Sequence, residues 1–463
     1  MADILSPNRP RNVDWRRAAA LLYGDWGTSK AYVIGLAFAA AGFASLPIIV
    51  AVCCLTALVG YNYVVVCRNF PDGGGVYSAA REQSRFLAAV GALLLIANFL
   101  VTAAISGWAA MKYLGVPEHL IAPATMVTIV ALGGINSFGP KHSGSLAIVM
   151  AVPTVICVVA ILAISVPHLT TVHLEPPKAG YGHMWTQFVS VILALSGVEA
   201  IASMTGVMKL NPGSTPEEPK VSRTATKALS FVAFEVVVAT VLLGWAMLSL
   251  PHSYAPQLID HKEDMLRFLG QHFATDLGGA AIGDAFGWIV GLVFGVLLLS
   301  AVNTAIVAVI GVIYMMALDG EFPRPLTKLN RHGVPVGPLI LAAFLPVVIL
   351  LGTQDFEALA SLYAIGVVGA ITVNLGSCCV NRRLDMNGAE RVLMTLTAVV
   401  LACVWLTIAY TIEHALFFAI CVLGIGLALR AYSHKVVGLK TVTVSAETAE
   451  VVGDEAIERL RPR

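Results

Sequence analysis

The sequence has 463 residues, of which 57% are hydrophobic and 12% charged, and its mean hydropathy is +0.81. Soluble domains carry about 25% charged residues, so this composition excludes a soluble globular protein and indicates a chain that lies mostly in a lipid bilayer. The net charge of +1 provides no basic surface for a nucleic acid. The eight cysteines lack the spacing of disulfide or zinc sites. No phosphate-binding loop, nucleophile elbow or zinc-protease motif occurs. We therefore expect no enzymatic activity, no cofactor and no bound metal.

Twelve apolar runs follow one another along the chain. A helix that crosses a bilayer needs about 20 mostly apolar residues. The predicted spans are 18–40, 43–67, 86–112, 120–137, 144–166, 185–208, 228–250, 283–317, 335–352, 357–380, 393–410 and 413–431. The sequence thus predicts an all-α polytopic membrane protein with 12 transmembrane helices. The first and sixth spans are interrupted by polar residues, and the eighth is unusually long.

Lysine and arginine residues are distributed unequally between the two sides of this arrangement. If the N-terminus is cytoplasmic, 24 of them fall on the cytoplasmic side and 4 on the outer side. This predicts a cell-membrane protein with both termini in the cytoplasm, and no cleavable signal peptide is visible. The predicted parts are a cytoplasmic N-terminal segment (1–17), two five-helix repeats (18–166 and 185–380), two additional helices (393–431) and a cytoplasmic tail (432–463).

The first interruption places polar and charged side chains inside an apolar span. A charged residue at the centre of a bilayer costs about 2.5–3.5 kcal/mol on insertion scales, so such residues mark functional sites by default. Gly24 and Gly27 permit a break in the helix, while Asp25 and several neutral oxygens beside it form a set that hard cations prefer. The candidate binding residues in this span are Gly24, Asp25, Gly27, Thr28, Ser29 and Tyr32.

A second interruption, in the sixth span, again places a glycine beside a carboxylate. It contains Ser196, Gly197 and Glu199. The two interruptions fall in the first span of each five-span set, and two sets of five spans have opposite topology in the membrane. Glycine-interrupted helices at matching places in two halves point to the central site of a transporter, because unwound backbone exposes carbonyls and amides to a solute. The sequence therefore predicts that both breaks line one transport site.

Structural roles for the same residues remain open. Asp25 and Lys30 could form an ion pair, since charges inside membranes pair with each other. Glu199 could bond the freed backbone amides of its break and carry no proton. Glu235, a single carboxylate in the seventh span, fits either a protonated core residue or a proton relay. Asn98, Asn303 and Asn374 are typical of hydrogen bonds between membrane helices, and His414 of a residue at the membrane interface.

Four motifs resemble the amino acid–polyamine–organocation (APC) transporter superfamily. The run Tyr23–Ser29 is similar to the Gly-Asp-Ile-Gly-Thr-Ser signature of the KUP/KimA potassium-uptake branch. The runs Phe70–Tyr77, Gly197–Glu199 and Asp319–Arg324 resemble motifs that this branch shares with amino-acid permeases. The resemblance covers nearly all of the first ten spans. It implies a LeuT-like fold, with a 5+5 inverted repeat plus two helices, and proton-driven alternating access.

The resemblance also implies roles for individual residues. In the potassium branch, the matching Asp and Tyr of the first span help to bind the cation, which implies this role for Asp25 and Tyr32, and the sixth-span Glu implies proton coupling for Glu199. The third span of that branch usually carries an Asp followed by Thr and Ser. Here the candidate residues at those positions are Asn98, Thr102 and Ser106, so one site charge is missing.

Two transport hypotheses therefore remain. The first is a proton-coupled importer of potassium. The second is a proton-coupled permease for an amino acid or organic cation, in which Asp25 meets a substrate ammonium or is neutralised by Lys30. A transport-inactive sensor is disfavoured, because both breaks and the whole ten-span core are present. The expected partners are a small-molecule or ion substrate, protons and the lipid bilayer, with no nucleic acid, and a homodimer stays open.

Overall fold

The computed structural model describes residues 11–139, 143–176, 180–192, 197–215 and 218–438. Within these ranges the fold is helical, with no β-strand beyond two isolated bridges. The α-helices are α1 Trp15–Trp26, α2 Lys30–Ala41, α3 Leu46–Asn69, α4 Gly75–Arg81, α5 Arg85–Tyr113, α6 Glu118–Asn136, α7 Ser143–Ser165, α8 Tyr181–Ser190, α9 Ala200–Met204, α10 Ser222–Leu248, α11 Ala255–Asp260, α12 Met265–Gly278, α13 Ala280–Leu318, α14 Val336–Gly352, α15 Phe356–Val380, α16 Gly388–Thr411 and α17 Glu413–Gly438.

Nine of the described helices are long and apolar enough to cross a membrane, and α14 is a shorter apolar helix of 17 residues. The long eighth span is confirmed as α13, which has 39 residues. The two spans predicted to be interrupted each consist of two helices, α1 with α2 and α8 with α9. The chain is thus a polytopic helical membrane protein, while the twelve-span count and the two repeats stay predictions.

Polar side chains set where several helices begin. Asp14 accepts hydrogen bonds from the backbone amides of Arg16 and Arg17 at the start of α1, at 3.0 and 3.1 Å. Asp355 caps α15 in the same way, and Asn387 forms a capping box with Glu390 at the start of α16. Such caps bind amide donors that the first helical turn leaves without partners. Each of these helices therefore begins directly after its capping residue.

The centre of the fold is α5, which is buried along most of its length and packs against α13, α15, α6 and α4. The break between α1 and α2 lies in this interior, since every residue from Leu22 to Ile34 is buried. Charged side chains in this interior must find their hydrogen-bond or ion-pair partners within the protein. The interior position of the first break is what brings it close to the second.

The predicted ends of the chain differ from the structure where the structure describes them. Helix α17 continues to Gly438, seven residues beyond the predicted end of the last span. Arg430 contacts Glu321 at 2.5 Å and Ser433 donates to the carbonyl of Gly320, so tertiary contacts extend this helix. Residues 1–10 and 439–463, which hold most of the predicted N-terminal segment and tail, lie outside the described residues.

Candidate functional site

The first break is a three-residue turn, Gly27–Ser29, between α1 and α2. Position 27 requires a glycine, because the backbone passes so close to Tyr23 that a Cβ here would lie 2.5 Å from the Tyr23 carbonyl oxygen. The Thr28 hydroxyl donates to the Asp25 carbonyl at 2.5 Å, an oxygen that also accepts from the Thr28 backbone amide at 3.2 Å. Asp25, Thr28 and Ser29 are all at most 3% exposed. The expectation that Gly24 forms part of the break is wrong, since Gly24 lies within α1.

The second break separates α8 from α9 and contains Gly197 and Glu199. Gly197 has a φ of +87°, which disfavours any residue with a Cβ. A Cβ on it would lie 2.4 Å from the Trp26 backbone nitrogen and 2.8 Å from the Asp25 carbonyl carbon. The backbones of the two breaks are therefore in direct contact, while the prediction that both line a transport site stays a prediction. Ser196, the remaining candidate in this break, lies outside the described residues.

Buried polar side chains surround this contact. The Asn98 amide on α5 donates to Glu199 Oε1 at 2.7 Å. Helix α15 approaches closely here, because a Cβ on Gly366 would lie 2.8 Å from the Asn98 backbone nitrogen. Glu199 follows Gly197 by two residues, and Gly197 packs against the backbone of Asp25 and Trp26, so both carboxyl groups belong to this contact. The arrangement thus gathers two carboxyl groups and an amide between α1, α5 and the second break.

Several buried oxygens of the candidate residues have no hydrogen-bond partner within the described part of the chain. They are Asp25 Oδ1, Ser29 Oγ, Asn98 Oδ1, Ser106 Oγ and Glu199 Oε2. Buried polar atoms in folded proteins are nearly always partnered. Carboxylate and amide oxygens are acceptors, so the chemistry that suits this set is a proton or a hard cation. No group of three or more histidine, cysteine or acidic side chains that could hold a metal occurs among the described residues.

The other predicted site residues have separate contacts. The Thr102 hydroxyl donates to the Asn98 carbonyl of its own helix at 2.8 Å. Tyr32 is buried in α2 and packs edge-on against Phe356, with ring centroids 6.0 Å apart. Asn374 and Asn303 do join helices, as predicted, since Asn374 donates to Tyr63 and Asn303 accepts from the Asn136 amide. These contacts leave any direct role for Thr102 and Tyr32 in binding as a prediction.

Residues 13–428 match the family model described as amino acid permease. The chain belongs to the amino acid permease family. It is 26% identical to the potassium transporter KimA of Bacillus subtilis over 395 residues, which cover 78% of this chain and 60% of that protein. It is 24% identical to L-asparagine permease 2 of Mycobacterium bovis and of Mycobacterium tuberculosis over 323 residues, which cover 65% of this chain and 62% of each relative. The matched region thus spans about 60% of the length of these relatives, and the resemblance to the APC superfamily is confirmed.

Sequence reasoning missed the partner of the buried lysine in this permease-family chain. The proposed pair of Asp25 with Lys30 is wrong, because the Lys30 ammonium contacts Glu235 Oε2 at 2.6 Å. Glu235 is therefore the partner of Lys30 in an ion pair, and a part in a proton relay stays a prediction. The available signal was that Lys30 and Glu235 are both charged residues inside apolar spans, where charges pair with each other.

The loop motifs that resemble the superfamily also have contacts that the sequence did not indicate. Residues 70–75 pack against the segment after the second break, where a Cβ on Gly206 would lie 2.5 Å from the Asp72 carbonyl oxygen. Arg11 joins both, because it donates to Asp72 at 2.7 Å and to the Thr205 carbonyl at 3.2 Å. Asp319 accepts from both Tyr77 and Arg81 at 2.8 Å. These motifs therefore position the end of the second broken helix.

Proposed function

We propose that this chain is a proton-coupled secondary active transporter that imports a small solute by alternating access, with potassium as its provisional substrate. The observation that carries the proposal is the pair of buried carboxyl oxygens, Asp25 Oδ1 and Glu199 Oε2, at the contact of two broken helices, for which the described residues supply no donor. Broken helices that meet inside a membrane protein are typical of transporter binding sites. Membership of the permease family and the relative named a potassium transporter support the same function.

The proposed architecture is LeuT-like, with two inverted five-helix repeats (18–166 and 185–380) and two further helices (393–431) in the cell membrane. It is supported by the nine long apolar helices of the described residues, the shorter α14 and the two interrupted helices. Both termini are proposed to be cytoplasmic on the distribution of lysine and arginine. A homodimer stays a prediction.

The charges of the site suggest how a cation and a proton are coupled. When both carboxyl groups are ionised, Asp25 and Glu199 bring two negative charges into a buried site. One monovalent cation at Asp25 and one proton on Glu199 Oε2 neutralise them. An uncompensated charge in a dry interior is costly, so the doubly loaded site is the form that is easiest to close off from water. Asn98 assists by donating to Glu199 Oε1, which leaves the other carboxyl oxygen for the proton.

A permease for an amino acid or organic cation is the second candidate. The neutral Asn98, where the potassium branch usually carries an Asp, removes one charge that would favour a bare cation. A substrate ammonium satisfies Asp25 as an inorganic cation does, and backbone amides of the breaks can bind a carboxylate. The relatives named asparagine permeases favour this candidate.

The experiment that tests the proposal is uptake into proteoliposomes with an acidic outer buffer. Rubidium, as a potassium tracer, and a panel of radiolabelled amino acids are measured in parallel. We expect Asp25→Asn to abolish uptake at unchanged membrane level, because it removes the charge that faces the cation. Asp260→Asn, which removes a carboxylate on an exposed position of α11, is the matched control. Uptake by Asp25→Asn at the rate of the unchanged protein would refute the proposed site.

A further inference from the structure

Two buried side chains, Tyr23 and Lys30, form a cluster with the partly exposed Glu235 behind the first break. Lys30 is 0% exposed, and its ammonium contacts both Glu235 carboxylate oxygens, at 2.7 and 2.6 Å. The same ammonium donates to the Tyr23 hydroxyl at 2.8 Å and lies 4.5 Å from the Tyr23 ring centroid. The Tyr23 hydroxyl in turn donates to Glu235 Oε1 at 3.1 Å. All three ammonium hydrogens are therefore bonded, and the cluster is complete without a ligand.

The cluster connects three helices that meet at the break. Tyr23 belongs to α1, Lys30 is the first residue of α2, and Glu235 lies on α10. Tyr23 and Lys30 thus stand on opposite sides of the Gly27–Ser29 turn, and one carboxylate from α10 binds both. Asp25 comes two residues after Tyr23 on α1 and therefore lies on the opposite face of that helix. The backbone of Asp25 and Trp26 contacts Gly197 of the second break.

The backbone of the turn is held weakly by its own hydrogen bonds. The amides of Thr28 and Ser29 bond to carbonyls only three residues earlier, at 3.2 and 3.3 Å. Bonds of this kind have poorer geometry than those of an α-helix. The angle between α1 and α2 must therefore be fixed by contacts from outside the turn, and the cluster of Tyr23, Lys30 and Glu235 is one that touches both sides.

Stability alone does not account for charged groups at this place. Removing two charges from water is costly, and a buried ion pair is often no more stable than well-packed apolar residues. An ion pair does, however, fix geometry, since the three ammonium hydrogens here are satisfied by three acceptor oxygens in one arrangement. The ion pair lies directly behind the turn, so a fixed geometry there would also hold Asp25 in place.

We propose that Tyr23, Lys30 and Glu235 form a clamp that holds both arms of the first broken helix on α10 and thereby positions Asp25. Its role in transport rests on the proposed function of the Asp25 site. Lys30 and Glu235 are thus positioning residues that act through the backbone of the break and do not touch the substrate. Clamping makes α1, α2 and α10 move as one body.

The test compares two double variants that each remove one interhelical ion pair. Lys30→Met with Glu235→Gln neutralises the clamp and leaves no single buried charge behind. The control, Arg68→Met with Glu390→Gln, removes the pair that joins α3 to α16 at 2.7 Å, away from both breaks. A glutamine at position 390 retains the capping box. The milder Glu235→Asp keeps the charge but shortens the side chain, and it serves if the double variant does not accumulate in the membrane.

Hydrogen–deuterium exchange in residues 27–33 and the KM for rubidium uptake are the readouts. We expect exchange in this segment about ten-fold faster in the clamp variant, with a KM raised roughly three- to ten-fold and no such change in the control. Unchanged exchange at residues 27–33 would overturn the clamp, whatever the substrate proves to be. Faster exchange with an unchanged KM would overturn its link to Asp25.

Discussion

Replacement of Gly197 by alanine tests the contact between the two breaks. The change adds one methyl group at a φ of +87°, directed 2.4 Å from the Trp26 backbone nitrogen. Left-handed backbone costs a residue with a Cβ about 1–2 kcal/mol. Real Cβ atoms do not come that close to a backbone nitrogen, so one break must move, and such overpacking costs about 1–3 kcal/mol. The expected loss of stability is therefore roughly 2–5 kcal/mol.

Gly213→Ala is a matched control for this change. Gly213 has a φ of +85°, nearly the same as Gly197, but a Cβ there would meet no atom within 4 Å. The control thus has the same conformational cost of about 1–2 kcal/mol without the steric one. The difference between the two variants isolates the contact between the breaks.

Thermal unfolding in detergent and uptake into proteoliposomes measure the two consequences. We expect Gly197→Ala to unfold at a clearly lower temperature than Gly213→Ala and to lose most uptake, because Asp25 moves away from Glu199. If the two alanine variants unfold at the same temperature and transport equally well, the breaks do not support each other and the reasoning fails.

Two further changes test the polar side chains of the site. Glu199→Gln should flatten the acid stimulation of uptake, because the amide cannot take up the coupled proton. The exposed Glu218→Gln is its control, and an unchanged pH dependence of uptake in Glu199→Gln would leave Glu199 with a structural role only. Asn98→Asp should raise the apparent affinity for rubidium several-fold, because it replaces the donor to Glu199 with a carboxylate. An unchanged rubidium affinity, together with amino-acid uptake, would favour the permease candidate.

The sequence predicted which helices break more accurately than where the backbone breaks. Glycine near a charge marks both interruptions, but Gly24 continues α1 while Gly27 does not. The difference arises from packing: a Cβ on Gly24 would meet only Ser300 Oγ at 3.9 Å, whereas one on Gly27 would collide with Tyr23. Both distances depend on the path of the backbone, which the pattern of glycines and charges does not give.

Partners far apart in the chain were the other limit of prediction. Glu199 bonds Asn98 across 101 positions, and Lys30 bonds Glu235 across 205. Hydropathy locates each helix but does not say which faces meet. Because charges inside membranes pair with each other, Lys30 and Glu235 each needed a partner. The sequence could therefore have suggested that these two residues form a pair. Asp25 was the more obvious choice because it lies only five residues from Lys30 along the chain.

The contacts of the segment before α1 bear on where a spectroscopic probe should be attached. Val13 bonds residues on both sides of Met208, through its amide to the Val207 carbonyl at 3.1 Å and through its carbonyl to the Lys209 amide at 2.8 Å. The start of the first broken helix and the end of the second are thus joined by backbone bonds that no side-chain substitution removes. A fluorophore at exposed Arg16 would therefore report the motion of both broken helices at once. Separating the two signals requires a second label on a helix outside this pairing.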